Sequence, residues 1–329
     1  MPRALLTGIT GQDGSYLAEL LLSKGYEVHG MVREGTDPAR SLLGGSADRI
    51  RFHVASLSDA VSLERMVAHA APDEFYHLAA QTHVAVSVAD PVATLDANVL
   101  GTARLLDVCR RQQRPPRFFH ASTSQVFGHP LVEPQDETTP AMPVSPYGVS
   151  KAAATSLVRI ARETQGLFAV NGILYNHESP RRGPDFVTAK ICRAAAAIKK
   201  GSAQVLRLGD TSAQRDWGDA RDFVEGFWMA LQAPTADDYV FATGVLHSVQ
   251  DVVETAFGAV GLDWRDHVQT DPALYRVADP RRLLGDPSKA ARVLGWHAKT
   301  TFAELIRGMV DSALSEEEAP RGTSISTAR

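Results

Sequence analysis

Leu6-Thr7-Gly8-Ile9-Thr10-Gly11-Gln12-Asp13-Gly14-Ser15-Tyr16-Leu17 is the stretch that decides the fold. The run Arg3-Ala4-Leu5-Leu6-Thr7 stops at the first glycine and reads as a buried strand. Leu17, Leu20 and Leu21 then recur at helical spacing until Gly25, which predicts a helix over 14–24. Glycines spaced Gly-x-x-Gly-x-x-Gly at a strand-to-helix turn let the backbone approach a pyrophosphate, and the first N–H groups of the helix face it. Similar turns also serve as plain connections, but here the flanking strand and helix both favour a nucleotide cofactor.

Outward from this turn, strand and helix alternate. Strands are expected at 26–32, 74–78, 117–121 and 168–174, with helices over 58–70, 91–111 and 147–164. This alternation predicts an α/β protein built on a Rossmann-type, doubly wound parallel sheet over residues 1–175. Residues 176–314 read as a smaller, mostly helical substrate-binding lobe interleaved with the end of the sheet. Its helices are expected at 186–200, 220–231, 249–260 and 301–313, with a strand near 205–208. The segment 35–49, rich in Gly, Ser, Asp and Arg, reads as a mobile loop, and 315–329 as a disordered tail poor in apolar residues. The end of the second strand selects the cofactor. In Met31-Val32-Arg33-Glu34, Arg33 suits the 2′-phosphate of NADP, while the adjacent Glu34 keeps NAD open.

Composition excludes several classes. The formal net charge of -4 gives no basis for general binding to nucleic acid or an anionic membrane. No apolar run reaches the length of a membrane span, and the first strand begins too early for a leader, so a cytoplasmic protein is expected. Cys109 and Cys192 lie on expected helices without metal-ligand spacing and read as reduced, buried thiols; no metal site is expected.

A second cluster carries chemistry. In Tyr147-Gly148-Val149-Ser150-Lys151 the two functional side chains share a helix face, where the ammonium would lower the phenol's pKa and make it a proton shuttle. Upstream, His120-Ala121-Ser122-Thr123-Ser124-Gln125 offers hydroxyls to the same reacting oxygen. Together with the glycine turn, the pair reads as a site for hydride transfer from a sugar carbon to a nicotinamide.

Longer stretches make a resemblance specific. The glycine turn, Leu78-Ala79-Ala80-Gln81-Thr82-His83-Val84, Ser145-Pro146-Tyr147-Gly148, Asn176-His177-Glu178-Ser179-Pro180-Arg181-Arg182-Gly183, Phe186-Val187-Thr188, Arg215-Asp216-Trp217-Gly218 and Ala242-Thr243-Gly244 together resemble the GDP-mannose 4,6-dehydratases, a branch of the extended short-chain dehydrogenases/reductases. The resemblance implies that Tyr147 is the base at the sugar C4 hydroxyl, that Lys151 tunes it and holds the nicotinamide ribose, and that Thr123 binds the C4 oxygen. Gly8, Gly11, Gln12, Asp13, Gly14, Arg33, Ser56, Leu57, Leu78, Ala80, Tyr147, Lys151, His177 and Arg182 would contact the cofactor, expected to be NADP. Ser87, Asn176, Val187, Lys190, Gly209, Arg215, Arg276 and Asp279 would hold a GDP-sugar, GDP-mannose or a derivative. A homo-oligomer, dimer or tetramer, is implied as well.

The chain departs from that family at one catalytic position. Gln125 stands where the family has a glutamate that takes the C5 proton and protonates the departing C6 hydroxyl, and an amide does not exchange protons in that way. His120, His83 and Glu178 are candidate substitutes. Asp96-Ala97-Asn98-Val99-Leu100-Gly101-Thr102 is closer to epimerases and reductases, Ala55-Ser56-Leu57 replaces Gly-Asp-Leu, and Ala189 replaces an arginine. The loop after Arg33 lacks the family's Arg-Ser-Ser-Ser pattern, which favours a dimer over a tetramer. Full C5/C6 dehydration is therefore the main expectation. A GDP-sugar 4-ketoreductase or 4-epimerase, needing only Tyr147, Lys151 and cofactor, is the alternative. A non-catalytic nucleotide-binding regulator is the second, opposed by the intact Tyr147–Lys151 pair.

Overall fold

The computed structural model describes residues 1–274 and 282–315. Arg276, Asp279 and the tail beyond Ser315 lie outside the described residues.

In chain order the strands are β1 (Arg3–Thr7), β2 (Glu27–Val32), β3 (Ile50–Val54), β4 (Glu74–His77), β5 (Arg117–Ala121), β6 (Ala169–Leu174), β7 (Asn176–Glu178), β8 (Leu206–Leu208), β9 (Gln214–Asp219), β10 (Asp238–Phe241), β11 (Leu246–Ser248) and β12 (Val268–Thr270). The α-helices are α1 (Gln12–Ser23), α2 (Ala60–Ala70), α3 (Val84–Ala89), α4 (Pro91–Leu95), α5 (Gly101–Arg110), α6 (Pro146–Gln165), α7 (Val187–Lys199), α8 (Ala220–Gln232), α9 (Val249–Ala259), α10 (Ser288–Leu294) and α11 (Phe302–Ser315).

Seven strands form one sheet in the order β10-β6-β5-β4-β1-β2-β3, with every pairing parallel. Successive residues of the inner strands face opposite layers, and both layers are apolar, as a parallel sheet covered on both sides requires. Leu6, Tyr76 and Phe119 pack in one core with Leu17 and Leu21 of α1 and Phe223 and Phe227 of α8. Leu5, Phe75 and Phe118 pack in the other with Leu63 and Val67 of α2, Leu105 of α5 and Val158 of α6. A separate core, built around Ile191, Trp217, Val253, Phe257 and Ile306, holds together α7, α9 and α11 beside the short strands β8 and β9. Strand order reverses between β1 and β4, so the switch point of the sheet lies at the carboxyl ends of these two strands.

Several local expectations are corrected. β3 and β10 are edge strands of the sheet that the apolar pattern did not mark; β3 carries an exposed arginine, and β10 is only four residues long and opens on a buried aspartate. The helix expected over 91–111 is broken by a π-turn at Asp96–Leu100, which inserts a residue between α4 and α5. The segment 35–49 forms two short 3₁₀ turns, and buried Leu43 and Ala47 anchor it in the core beside α1.

Candidate active site

The glycine turn closes at the switch point. Gly8 adopts φ +72, and a Cβ there would lie 2.8 Å from Ala79 N. At Gly14 a Cβ would lie 2.2 Å from the Gly8 carbonyl oxygen and 2.5 Å from Ile9 Cα. The turn therefore holds the loop, the end of β4 and the first turn of α1 closer than any side chain allows. Gly11 caps α1 without a side-chain hydrogen bond, so the helix presents its N-terminal N–H groups and positive dipole end, the chemistry a dinucleotide pyrophosphate needs. Arg33 is exposed just past β2, Ser56 and Leu57 follow β3, and Leu78 and Ala80 follow β4, so these expected cofactor residues line one edge of the sheet.

An ion pair ties this turn to β7. His177 Nε2 donates to Asp13 Oδ2 over 2.9 Å and its Nδ1 donates to the Tyr175 carbonyl over 2.7 Å. Burial alone would lower the His177 pKa, but Asp13 more than offsets it and the imidazolium is favoured. Asp13 shifts down in turn: burial opposes its charge and His177 outweighs burial. Gln12 donates to Asp13 and to the His177 carbonyl, and accepts from Ser179 Oγ over 2.8 Å. Its side chain thus bridges turn and lobe, which leaves its backbone for any contact with cofactor. Arg182 Nε lies 3.0 Å from Glu178 Oε2 but out of line for a hydrogen bond. The guanidinium stacks 3.5 Å from the centre of Phe186.

Tyr147 sits at the start of α6. Ser145 caps that helix by accepting from Gly148 N over 3.1 Å, and Pro146 occupies its first turn. Ser87 Oγ accepts from Tyr147 N over 3.1 Å and donates to the Val84 carbonyl over 2.7 Å. Ser87 is fully buried, and these two bonds fix the start of the helix. The Thr123 side chain is among the groups that pull the Tyr147 pKa down, which sets it beside the phenol. Burial raises the Tyr147 pKa, and the groups that pull it back are Thr123 and Arg182 rather than the expected Lys151. Burial lowers Lys151 to about 7, and its Nζ is 3.0 Å from His120 Nε2. The ammonium is engaged by a neighbour the sequence did not assign to it.

Gln125 follows Thr123 in a 3₁₀ turn and is partly exposed; no partner holds its amide among the described residues. Of its candidate substitutes, His120 is buried and bonded at both nitrogens, and Glu178 is buried against Thr188 and Arg182. His83 differs. It is exposed, its ring lies against Phe186 with centroids 5.4 Å apart, and it caps α3 one turn before Ser87.

The expected substrate residues fall on the lobe. Asn176 is in β7, which pairs with β9 carrying the buried Arg215. Val187 opens α7, Gly209 follows β8, and Lys190 of α7 donates to the Arg207 carbonyl of β8 over 2.7 Å. The lobe thus gathers these five, while Ser87 lies under the catalytic helix. Asp216 accepts from Thr243 N, Thr243 Oγ1 and Gly244 N at 2.7–2.8 Å, which joins two of the resemblance motifs into one loop anchor. Sequence reasoning missed Asn98. On the π-turn, its Nδ2 donates to Ser150 Oγ over 2.9 Å and its Oδ1 accepts from Gln81 N over 2.8 Å, locking α6 to the β4 loop. A helix broken mid-pattern leaves no periodic signal of such a contact.

A parallel sheet with a glycine turn at its switch point, and a tyrosine and lysine on the neighbouring helix, define a nicotinamide-dependent short-chain dehydrogenase/reductase. Solved structures agree. UDP-glucose 4-epimerase of Thermus thermophilus, in complex with NAD, superposes with TM-score 0.83 at 30% identity, over 95% of this chain and 99% of that one. DesIV, the dTDP-glucose 4,6-dehydratase of Streptomyces venezuelae, does so with TM-score 0.83 at 26% identity, over 94% and 96%. The family model for GDP-mannose 4,6 dehydratase matches residues 5–309. GDP-mannose 4,6 dehydratase 1 of Arabidopsis thaliana is 46% identical over 94% of this chain and 89% of its own. The GDP-mannose 4,6-dehydratase of Vibrio cholerae is 42% identical over 94% and 92%. The chain belongs to the GDP-mannose 4,6-dehydratase family and is a sugar-nucleotide enzyme of that type.

Proposed function

We propose that the protein is an NADP-dependent GDP-mannose 4,6-dehydratase. The observation that carries this reading is the buried Tyr147 at the head of α6 with Lys151 one helical turn on, in a chain of this family. Arg33, exposed at the end of β2, favours a 2′-phosphate, and NADPH is the ligand in a related solved structure, RMD of Pseudomonas aeruginosa.

When bound, the nicotinamide supplies a hydride acceptor at C4 and a hydride donor at C6. The residues of the chain do the remaining work. Thr123 holds the C4 oxygen and Tyr147 takes its proton as the hydride leaves. The resulting ketone acidifies the C5 proton; loss of that proton and of the C6 hydroxyl removes one water. Arg215 and Lys190 suit the diphosphate, and Asn176 the sugar. Gln125 orients by hydrogen bonding alone. His83, exposed at the start of α3 with its ring against Phe186, is the residue we assign to the C5 proton. The test is incubation with GDP-mannose and either NADP or NAD, followed by mass spectrometry. Loss of 18 mass units with NADP supports the reading, and retention of that activity in His83→Phe removes His83 from it.

Gln125 favours a second reading, a GDP-sugar 4-ketoreductase or 4-epimerase. It predicts turnover of a 4-keto sugar, or C4 exchange, without loss of water.

A homodimer fits the surface. Val149 and Ile160 of α6 are half-exposed and lie on one face with Ala153 and Ser156, beside exposed Val92 and Leu95 of α4 and Leu100. Light scattering that gives a monomer mass in solution counts against it.

A further inference from the structure

Five polar residues form one row across the parallel sheet. Register pairs Thr7 with His77, His77 with His120, His120 with Asn171, and Asn171 with Asp238, on five adjacent strands. The row faces α6, because its neighbours two residues back in the strands, such as Leu5 and Phe118, belong to the core that contains Val158 of that helix. Lys151, Thr155, Arg159 and Arg162 of α6 all bond to this row or to each other across it.

Donors and acceptors along the row have a fixed direction. Asp238 is acceptor-only: it takes Arg159 Nη2 over 2.6 Å and Arg162 Nη1 over 2.8 Å. It also takes Asn171 Nδ2 over 2.9 Å, and that same amide nitrogen donates to the Thr155 carbonyl over 3.1 Å. Asn171 must therefore turn its Oδ1 toward His120 Nδ1, 2.9 Å away, and that nitrogen must carry the proton. His120 Nε2 is left as a bare acceptor, 3.0 Å from Lys151 Nζ. On the other side His77 is settled separately. The Thr7 hydroxyl, accepting from Ala79 N, donates to His77 Nδ1 over 2.8 Å, and His77 Nε2 donates to Thr102 Oγ1 over 3.1 Å. Burial holds His77 at about 3, so it faces His120 uncharged.

We propose that His120 is a positioning residue for Lys151: its Nε2 accepts one ammonium N–H and aims the side chain, and Asn171 and Asp238 behind it fix the tautomer that makes this possible. The inference rests on Lys151 serving the active site, and it adds a function for a histidine that otherwise looks like a candidate acid. His120 is buried, with burial and the Lys151 charge holding it neutral, so it donates no proton to substrate. Its effect is to favour the charged form of an amine that burial opposes. The charged and titratable groups around this pair are His77 from β4, and, through Asn171, Asp238 from β10 with Arg159 and Arg162 of α6.

The test uses the full-length protein labelled with ¹³C at lysine Cε, with the Lys151 signal assigned by its absence in Lys151→Arg. In His120→Leu the Lys151 titration midpoint is expected to fall by about one pH unit. His120→Gln, which keeps one acceptor and one donor, is expected to recover most of that fall. A folded His120→Leu with an unchanged midpoint overturns the proposal. A second measurement needs no variant that might fail to fold. ¹⁵N chemical shifts of the wild-type histidines are expected to show His120 as the Nδ1–H tautomer between pH 6 and 9, and an Nε2–H tautomer overturns the proposal. Neither measurement needs turnover, so failure to convert GDP-mannose would bear on the proposed function alone.

Discussion

Two alanine substitutions should move this protein in opposite directions, although both replace a helical glycine. In Gly14→Ala the new methyl would lie 2.2 Å from the Gly8 carbonyl oxygen and 2.5 Å from Ile9 Cα. Both neighbours are backbone, so neither moves out of the way without opening the turn. Overpacking of this kind commonly costs ~1–3 kcal/mol. Here the strain falls on the geometry that brings N–H groups to the pyrophosphate. If most of it is expressed in binding, NADPH affinity falls ~5- to 150-fold, taking ~1.4 kcal/mol per factor of ten. In Gly308→Ala, within α11, the new methyl meets nothing within 4 Å. That change removes backbone freedom from the unfolded chain and should stabilise by ~0.5–1 kcal/mol. The assay is NADPH titration by fluorescence with urea denaturation of both variants. Gly308→Ala should bind as wild type does and unfold at higher urea. A Gly14→Ala protein that binds NADPH with wild-type affinity would refute the assignment of this turn as the cofactor cradle.

Other outcomes follow from the site. Tyr147→Phe keeps the ring and loses the hydroxyl proposed as the base, so kcat should fall ~10²–10⁴-fold with NADPH affinity little changed. An equal fall in kcat and cofactor affinity would point to a structural role for the ring. The Asp13–His177 pair predicts a pH dependence of stability. His177 has a raised folded pKa, so its contribution is complete below its ordinary value near 6.5 and is lost as pH climbs through the raised value. Asp13 has a lowered folded pKa, so its contribution is present above about 3.8 and is lost as pH falls through the lowered value. The stability gap between wild type and His177→Gln, by urea denaturation, should therefore be widest near pH 5–6 and narrow toward pH 9; a constant gap would contradict the charged pair.

The sheet centre was legible because its strands are apolar on both faces and end at glycine or polar turns: β1 and β5 have the limits that their runs predict. The edges were not. In Ile50-Arg51-Phe52-His53-Val54 one side chain in two has no layer above it, so the apolar signal that marks a central strand is missing. The site was legible in parts. Tyr147 and Lys151 share one face of α6, and that pairing needs only local geometry; Thr123 comes from the turn after β5 and reaches them only through packing. His120, Asn171 and Asp238 are neighbours solely through strand register. The separations of 51 and 67 residues between their bonded atoms hide that row from any local pattern. Reading His120 beside Gln125 suggested an acid–base role, and the packing of β5 against α6 replaces it with a bond to Lys151.

The most direct measurement uses GDP-mannose carrying deuterium at C4. The proposed reaction removes hydride from C4 and returns it at C6 within one active site. With NADP present, the product should weigh 18 units less than the labelled substrate and carry its deuterium at C6. Labelled substrate recovered intact, or deuterium exchanged at C4 without loss of water, would contradict dehydration by this site and leave Gln125 as the residue that ended it.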